Sequence, residues 1–453
     1  MRKYYRFKFK FCNFAARIKN RIKNTSVMIQ ELKVKNCLSF KDEAVFSFEA
    51  TKDTKLEERL VVEVSPGVRL LRFAMVMGAN GSGKSNLLAC FNFLRMFWNT
   101  RTDDLEESTA ACPFKLDSVT KDEPCEVEIK FWINGMKYWY VLKVDEYTTH
   151  DERLYFYKSV QPTLVFKREL VNNFSVVTFN PALKVNTAVV EELQVKCLNN
   201  MSVLAARARV NASIPYLDDV REWAKESIMP VIAPETALFS YAKRLIHEDK
   251  YVHDHILDYL HSANFNIVDL ISNEVIEKDF KHTIRILIDN IEMSKEEREK
   301  LDLESQKSIR MNFIHKVENE RGTELYPLSA SLQSYGTQRS MGIETAIYMT
   351  MQSDALLPID EFDTSMHPQL MEYTIRRFLQ SDSKGQLLIT THYAPLLGKI
   401  DELIRKDCVW FTEKEKNGAT NLYPLVEFKG LNRLSSIQNS YLQGKFGAIP
   451  NIK

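Results

Sequence analysis

The chain has 453 residues, 45% of them apolar and 27% charged, with only 14 glycines and 14 prolines. This length suits two to four compact units of about 100–200 residues each. The composition excludes collagen-like, linker-like and largely disordered readings. No run approaches the roughly 18 apolar residues of a membrane-spanning helix, so no membrane role is expected. The net charge of +1 is uneven: residues 1–27 carry nine basic side chains and no acid, which leaves −8 on the remainder. A mildly acidic body does not suit a constitutive nucleic-acid binder, although local basic grooves leave room for nucleic-acid contact. The seven cysteines are scattered, without a CxxC pair. They read as reduced thiols of a cytoplasmic protein, not as a zinc framework.

In chain order, residues 1–27 interleave bases with aromatics (Arg2-Lys3-Tyr4-Tyr5-Arg6-Phe7-Lys8-Phe9) and lack the apolar core of a secretory signal. This is either a basic extension able to touch phosphates and bases, or an over-long gene reading with Met28 as the natural start. From Met28 to about 66, alternating runs such as Ile29–Val34 and Ala44–Phe48 predict antiparallel strands. Leu70–Met77 is apolar except for Arg72 and predicts a strand buried on both faces of a parallel sheet, followed by a helix over Asn86–Trp98. Cys125–Trp132, Lys137–Val144 and Arg153–Tyr157 are rich in β-branched and aromatic residues and predict further strands. Residues 215–320 show charge and helical periodicity over Tyr216–Glu226, Pro234–Ala263 and Ser294–Ser305, which predicts a helical insertion. No apolar heptad persists long enough for a coiled coil. Short apolar strands return at Ala355–Ile359 and Gln386–Thr390, although Pro358 is unusual inside a central strand.

Gly78-Ala79-Asn80-Gly81-Ser82-Gly83-Lys84-Ser85 matches the phosphate-loop pattern at full spacing, between a predicted strand and a predicted helix. Gly78, Asn80, Gly81 and Gly83 let the backbone curl so that its N–H groups face phosphate oxygens at a helix N-terminus. Lys84 would reach the β- and γ-phosphates, and the Ser85 hydroxyl would bind Mg²⁺. The strand before Asp360-Glu361 delivers two acids to its tip. Asp360 would hold Mg²⁺ through water, and Glu361 would polarise the attacking water.

These residues resemble a known family. Asp360-Glu361-Phe362-Asp363-Thr364-Ser365-Met366-His367-Pro368 is similar to the Walker B and D-loop of ABC-type ATPases of the SMC, RecF and OLD-like group, with Asp363 on the D-loop. Ser334-Tyr335-Gly336-Thr337-Gln338-Arg339 resembles a degenerate ABC signature, in which Ser334, Gly336 and Gln338 keep the positions that matter and Tyr335 replaces a glycine. Ile389-Thr390-Thr391-His392 resembles the switch histidine after its strand, and the order of the four motifs is the family's. The ending Tyr441–Pro450 resembles that of small prokaryotic OLD-like, AAA-annotated ATPases often found with anti-phage defence genes. No glutamine stands near Cys112-Pro113-Phe114, where a Q-loop is expected.

The resemblance implies an α/β ABC ATPase head: a P-loop NTPase core with a mostly parallel sheet, an antiparallel β lobe and a helical insertion. It divides the chain into a basic extension (1–27), an ATPase lobe with the phosphate loop (28–214), the insertion (215–320) and a second ATPase lobe with signature, Walker B and switch histidine (321–453). It implies a cytoplasmic, Mg²⁺-dependent ATPase that binds ATP between two head-to-tail copies, as a homodimer or higher even oligomer, with Glu361 as base and His392 on the γ-phosphate. Such an ATPase would control a separately encoded effector, for instance a nuclease, in anti-phage defence. The alternative is a RecF-like DNA-repair ATPase. A nuclease in its own right ranks lower, because no acid cluster of nuclease type stands outside the ATP motifs. The stretch between Gly83 and Ser334 is longer than transporter ATPases keep there, and too little sequence follows His392 here for an OLD Toprim domain. Of the other histidines, His253 and His255 are two apart on a predicted helix and face different ways, against a shared metal. His367 would shape the turn before Pro368.

Overall fold

A computed structural model describes residues 27–263, 265–276 and 307–450. The basic extension up to residue 26 and the helix expected over Ser294–Ser305 lie outside the described residues. The described chain divides into two compact units. The larger holds residues 27–235, 349–364 and 374–450; the smaller holds 236–348 and 365–373.

The larger unit contains an antiparallel sheet built from β1 (Val27–Lys35), β2 (Ala44–Ser47), β6 (Cys125–Ile133), β7 (Met136–Val144), β8 (Thr149–Tyr157), β9 (Thr163–Val171) and β10 (Phe174–Phe179). Its strand order is β10-β9-β8-β7-β6-β1-β2. Alternation sets its faces: Val127, Ile129 and Phe131 on β6 are buried, while Glu126, Glu128 and Lys130 between them are more exposed. Glu152 and Arg168 form an ion pair with no exposed side-chain surface. The Glu152 carboxylate also accepts the Val203 N–H at 3.0 and 3.1 Å and the Tyr140 hydroxyl at 2.9 Å.

In the second sheet β5 (Phe73–Gly78), β14 (Leu356–Ile359), β15 (Gln386–Thr391) and β16 (Val409–Lys414) run parallel, and β17 (Thr420–Pro424) closes the edge antiparallel to β16. The strand order is β14-β15-β5-β16-β17. Every residue of β5, β14 and β15 is buried, as expected of strands covered on both faces.

Arg72 splits the apolar run into β4 (Val68–Leu71), which hairpins with β3 (Val61–Ser65), and β5. Its buried guanidinium donates to the carbonyls of Phe378, Leu379, Ser381 and Arg59 at 2.9–3.3 Å and to Ser381 Oγ at 2.9 Å. It thereby caps the last turn of helix α8 (Pro368–Gln380).

Pro358 fits β14 because of which neighbour it faces. Leu356 N–H donates to Ser227 O and Asp360 N–H to Ile232 O, each at 2.8 Å, on the flank opposite β15. The missing proline N–H falls between these two, facing a segment that itself contains Pro230. Carbonyl contacts continue there: Met229 N–H to Leu356 O at 2.8 Å and Ile232 N–H to Pro358 O at 3.0 Å.

Helix α1 (Lys84–Asn99) buries Leu87, Leu88, Cys90, Phe91, Leu94, Phe97 and Trp98. Phe91 meets Phe46 edge-on at 6.1 Å, and Trp98 meets Tyr140 at 5.5 Å and Trp223 at 5.3 Å. The helix that begins at Lys84 is thus fixed by aromatic packing along its length. Shorter helices α2 (Thr187–Lys196), α3 (Val203–Arg207) and α4 (Leu217–Glu226) follow β10. Trp223 of α4 stacks on Phe131 with centroids 3.6 Å apart, so α4 belongs to the larger unit and not to the insertion expected from residue 215.

The smaller unit corrects that insertion further. Its first part is helical: α5 (Leu238–Glu248) and α6 (Lys250–Ser262) are separated at Asp249, whose extended backbone and carboxylate cap Tyr251 N–H at 2.9 Å. Its second part is an antiparallel sheet of β11 (Ile267–Ile276), β12 (Lys307–Asn319) and β13 (Gly322–Ser329). The signal was period-two: in β12, buried Met311 and Phe313 alternate with exposed Arg310 and Asn312. Charge density had masked it. Helix α7 (Tyr335–Ser353) begins in this unit. The histidines of α5 and α6 take separate partners: His247 meets Ser272 Oγ, His253 meets Leu270 O, and His255 meets Glu344. A short helix α9 (Ile437–Leu442) ends the larger unit, and Tyr441 stacks on Phe411 of β16.

Candidate functional site

The parallel strands deliver the sequence motifs to one edge. In register, Ile359 of β14 lies beside Ile389 of β15, Thr391 of β15 beside Met77 of β5, and Thr412 of β16 beside Gly78. The residues that follow these strands (Asp360, His392 and the phosphate loop) therefore emerge together at the carboxyl ends, where open α/β sheets bind ligands.

The loop from Gly78 to Gly83 curls onto α1. Gly83 has φ +109° and caps the helix; its carbonyl accepts the N–H groups of Asn86 at 3.1 Å and Leu87 at 3.2 Å. The N–H groups of the first helical turn point out of the helix end. The Lys84 side chain is buried and donates to the carbonyls of Gly78 at 2.8 Å and Ala79 at 3.1 Å. Burial lowers the Lys84 pKa, while Asp360, Glu361 and Asp363 pull it back up. Asn80, Gly81 and Ser85 are exposed along the loop.

The same groups act on His392. Desolvation by the surrounding chain and then the Lys84 cation lower its pKa, against Asp363, Glu361 and Asp360. His392 N–H donates to Asp363 Oδ1 at 3.3 Å. Lys84, Asp360, Glu361, Asp363 and His392 thus form one electrostatic cluster.

Thr390, which sequence reasoning used only as a strand residue, orders the acids. Its hydroxyl donates to the Asp360 carboxylate and accepts the Glu361 N–H at 2.8 Å. Phe362 N–H donates to Thr390 O at 2.9 Å. Glu361 has φ +46°, a left-handed conformation that costs a non-glycine residue about 1–2 kcal/mol. Its carboxylate accepts the Thr364 hydroxyl at 3.3 Å. Such strain clusters at functional sites.

Ser334, Gly336 and Gln338 belong to the smaller unit. Ser334 caps α7: its Oγ accepts Thr337 N–H and its carbonyl accepts Gln338 N–H, both at 3.1 Å. A Cβ on Gly336 would stand 2.9 Å from the Ser365 carbonyl, so the glycine permits close packing against the D-loop serine. Gln338 Nε2 is turned onto the carbonyls of Ala330 and Gln333, each at 3.1 Å. Ser334 and Tyr335 are exposed beside it. His367 is exposed, and its Nδ1 accepts Gln369 N–H at 3.3 Å in the turn before α8.

The loop's donor set fits a nucleoside triphosphate with Mg²⁺: an anion cradle of backbone N–H groups, one ammonium, and hydroxyl and carboxylate oxygens suited to a hard cation. Among the described residues, no helix is long and apolar enough to cross a membrane.

Solved structures similar to this chain include the SMC head domain from Thermotoga maritima, at 12% identity and a TM-score of 0.40, covering 87% of this chain and 98% of that one. Another is an SMC head bound to the C-winged helix domain of ScpA, at 12% identity and a TM-score of 0.41, covering 87% and 96%. A third is the Smc head domain with an extended coiled coil, bound to the C-terminal domain of ScpA derived from Pyrococcus furiosus, at 10% identity and a TM-score of 0.38, covering 88% and 97%. No curated protein matches the chain. A family model described as "AAA domain, putative AbiEii toxin, Type IV TA system" matches residues 73–185 and 207–397. Those two stretches span well over half of the sequence and include the phosphate loop, the Walker B acids and His392, so the chain belongs to this AAA-domain ATPase family, in agreement with its ABC-type motifs.

Proposed function

We propose that the chain binds ATP with Mg²⁺ and hydrolyses it, and that the bound triphosphate joins two copies head to tail. The observation that carries this reading is the electrostatic cluster of Lys84, Asp360, Glu361, Asp363 and His392 at the carboxyl ends of the parallel strands. The loop formed by Gly78, Asn80, Gly81 and Gly83 takes the phosphates, and Lys84 leaves the Gly78 and Ala79 carbonyls for phosphate oxygens. Ser85 and Asp360 hold Mg²⁺, which when bound neutralises phosphate charge. Glu361 polarises water, and His392, neutral near pH 7, orients it beside the γ-phosphate. Ser334 and Gly336 offer the start of α7 to the triphosphate held by the other copy, while Gln338 keeps that loop in shape. Hydrolysis removes the bridging charge and loosens the pair.

Within this reading the protein is a cytoplasmic regulatory ATPase that controls a separately encoded effector in anti-phage defence. The family description, which names a toxin of a type IV toxin–antitoxin system, supports that setting. The insertion, helices α5 and α6 followed by β11–β13, is its platform for a partner.

The test is ATP turnover and size-exclusion chromatography of the purified protein with Mg²⁺. Lys84→Ala is expected to abolish nucleotide binding. Glu361→Gln is expected to bind ATP, hydrolyse it at least about 100-fold more slowly, and accumulate as a dimer. Monomers only, with Glu361→Gln saturated by ATP, would rule out the shared site.

A further inference from the structure

Residues from three distant stretches of the chain (Ser39, Ser82 with Asn86, and Thr420) meet at the phosphate loop. Asn86 Nδ2 donates to Ser39 Oγ at 2.7 Å. Thr420 Oγ1 donates toward Ser39 Oγ at 2.7 Å and toward the Ser82 carbonyl at 2.8 Å. Thr420 N–H also donates to the Ser39 carbonyl at 2.8 Å. Ser39 and Thr420 are each 7% exposed, so water does not compete for these groups.

Proton counting shows what each group does. The single Thr420 hydroxyl proton faces two acceptors, Ser39 Oγ and the Ser82 carbonyl. Ser39 Oγ accepts from Thr420 and from the Asn86 amide, and so anchors the Thr420 hydroxyl beside the Ser82 carbonyl.

The Ser82 carbonyl shares a planar trans peptide with the Gly83 N–H, and the two point in opposite directions. Fixing that carbonyl against Thr420 therefore aims the Gly83 N–H away from Thr420. A second contact, Ser82 Oγ to Thr412 Oγ1 at 2.7 Å, ties the same residue to β16.

We infer that Ser39 and Thr420 are positioning residues of the phosphate site: through the Ser82 carbonyl they hold the Gly83 N–H in its phosphate-binding direction before nucleotide arrives. The inference rests on the ATP-site reading above. Neither residue touches the nucleotide in this scheme. The glycine at 83 belongs to the same device, because a Cβ there would stand 2.7 Å from Thr420 Cγ2 and 2.9 Å from Ser39 Oγ, and closer still to Thr420 Oγ1.

The experiment compares Thr420→Val, which keeps the shape and removes the hydroxyl, with Thr420→Ser, which keeps the hydroxyl, and with Ser39→Ala. Binding of ATP and of inorganic pyrophosphate is measured by calorimetry, with thermal unfolding of each nucleotide-free variant alongside. Thr420→Val is expected to weaken both ligands about 10- to 100-fold, the range of one hydrogen bond to a charged group. KM should rise more than kcat falls, since ground state and transition state use the same N–H. Thr420→Ser should bind close to wild type, and Ser39→Ala should fall between. Wild-type binding by Thr420→Val would overturn the inference, as would equal losses in Thr420→Ser and Thr420→Val. If Thr420→Val does not fold, binding by folded Ser39→Ala at the wild-type level refutes the positioning role of this cluster. Failure of the wild type to bind, with Lys84→Ala no different, refutes the ATP-site reading itself.

Discussion

Replacing Gly83 by alanine separates two costs that the structure keeps distinct. The first is conformational: at φ +109°, a side chain is strained by about 1–2 kcal/mol. The second is steric, because the new methyl would lie within 3 Å of Thr420 Cγ2 and Ser39 Oγ. Overpacking of that kind costs about 1–3 kcal/mol. Gly83→Ala should therefore destabilise the larger unit by about 2–5 kcal/mol, or roughly 2 °C in Tm for each kcal/mol in a unit of this size. Gly430 is the control: its φ is +79°, and a Cβ there meets nothing within 4 Å. Gly430→Ala should show only the conformational part, about 1–2 kcal/mol. The assay is thermal and urea unfolding without nucleotide, extended to Gly83→Ala in a Thr420→Ala background. There the clash with Thr420 disappears and most of the steric part should be recovered as a coupling of about 1–2 kcal/mol. If Gly83→Ala costs no more than Gly430→Ala, the close approach of Thr420 and Ser39 to the loop is wrong.

Two further expectations bear on charge. Arg72→Met keeps the volume but strips donors from the carbonyls of Phe378, Leu379 and Ser381; a loss of about 3–5 kcal/mol is expected by urea unfolding, and a loss under 1 kcal/mol would contradict the capping role. His392 should titrate below 6.5, as followed by NMR of its imidazole protons. Because the folded value is depressed, the unfolded chain takes up the proton first. The contribution of His392 to stability therefore grows as pH rises through the window between the folded value and 6.5, and is lost as pH falls through it. Lys84→Met should move the midpoint upward, since the Lys84 cation depresses it; no movement would place the two groups apart.

Legibility followed the range of the interaction. The phosphate loop was readable because the glycine backbone and the Lys84 and Ser85 side chains lie together within eight residues, and the buried strands were readable because uninterrupted apolar runs suit two covered faces. The meander β11–β13 was not, since its period-two signal in Met311 and Phe313 sits among charges that also satisfy a helical pattern. Arg72 looked like an interruption in one strand; it is the end of one sheet and the start of another, a distinction that depends on which carbonyls it reaches.

The sequence alone determined that one loop could cradle phosphate and that two acids would stand at the tip of a buried strand. Tertiary structure decided the strand order that brings Asp360 and His392 to Lys84, that Thr390 meets the two acids, and that Thr420 meets Ser39 and the Ser82 carbonyl. A hydroxyl carries no periodicity and little propensity signal. Its role exists only once its partner arrives, and for Ser39 and Thr420 that partner is 381 residues away.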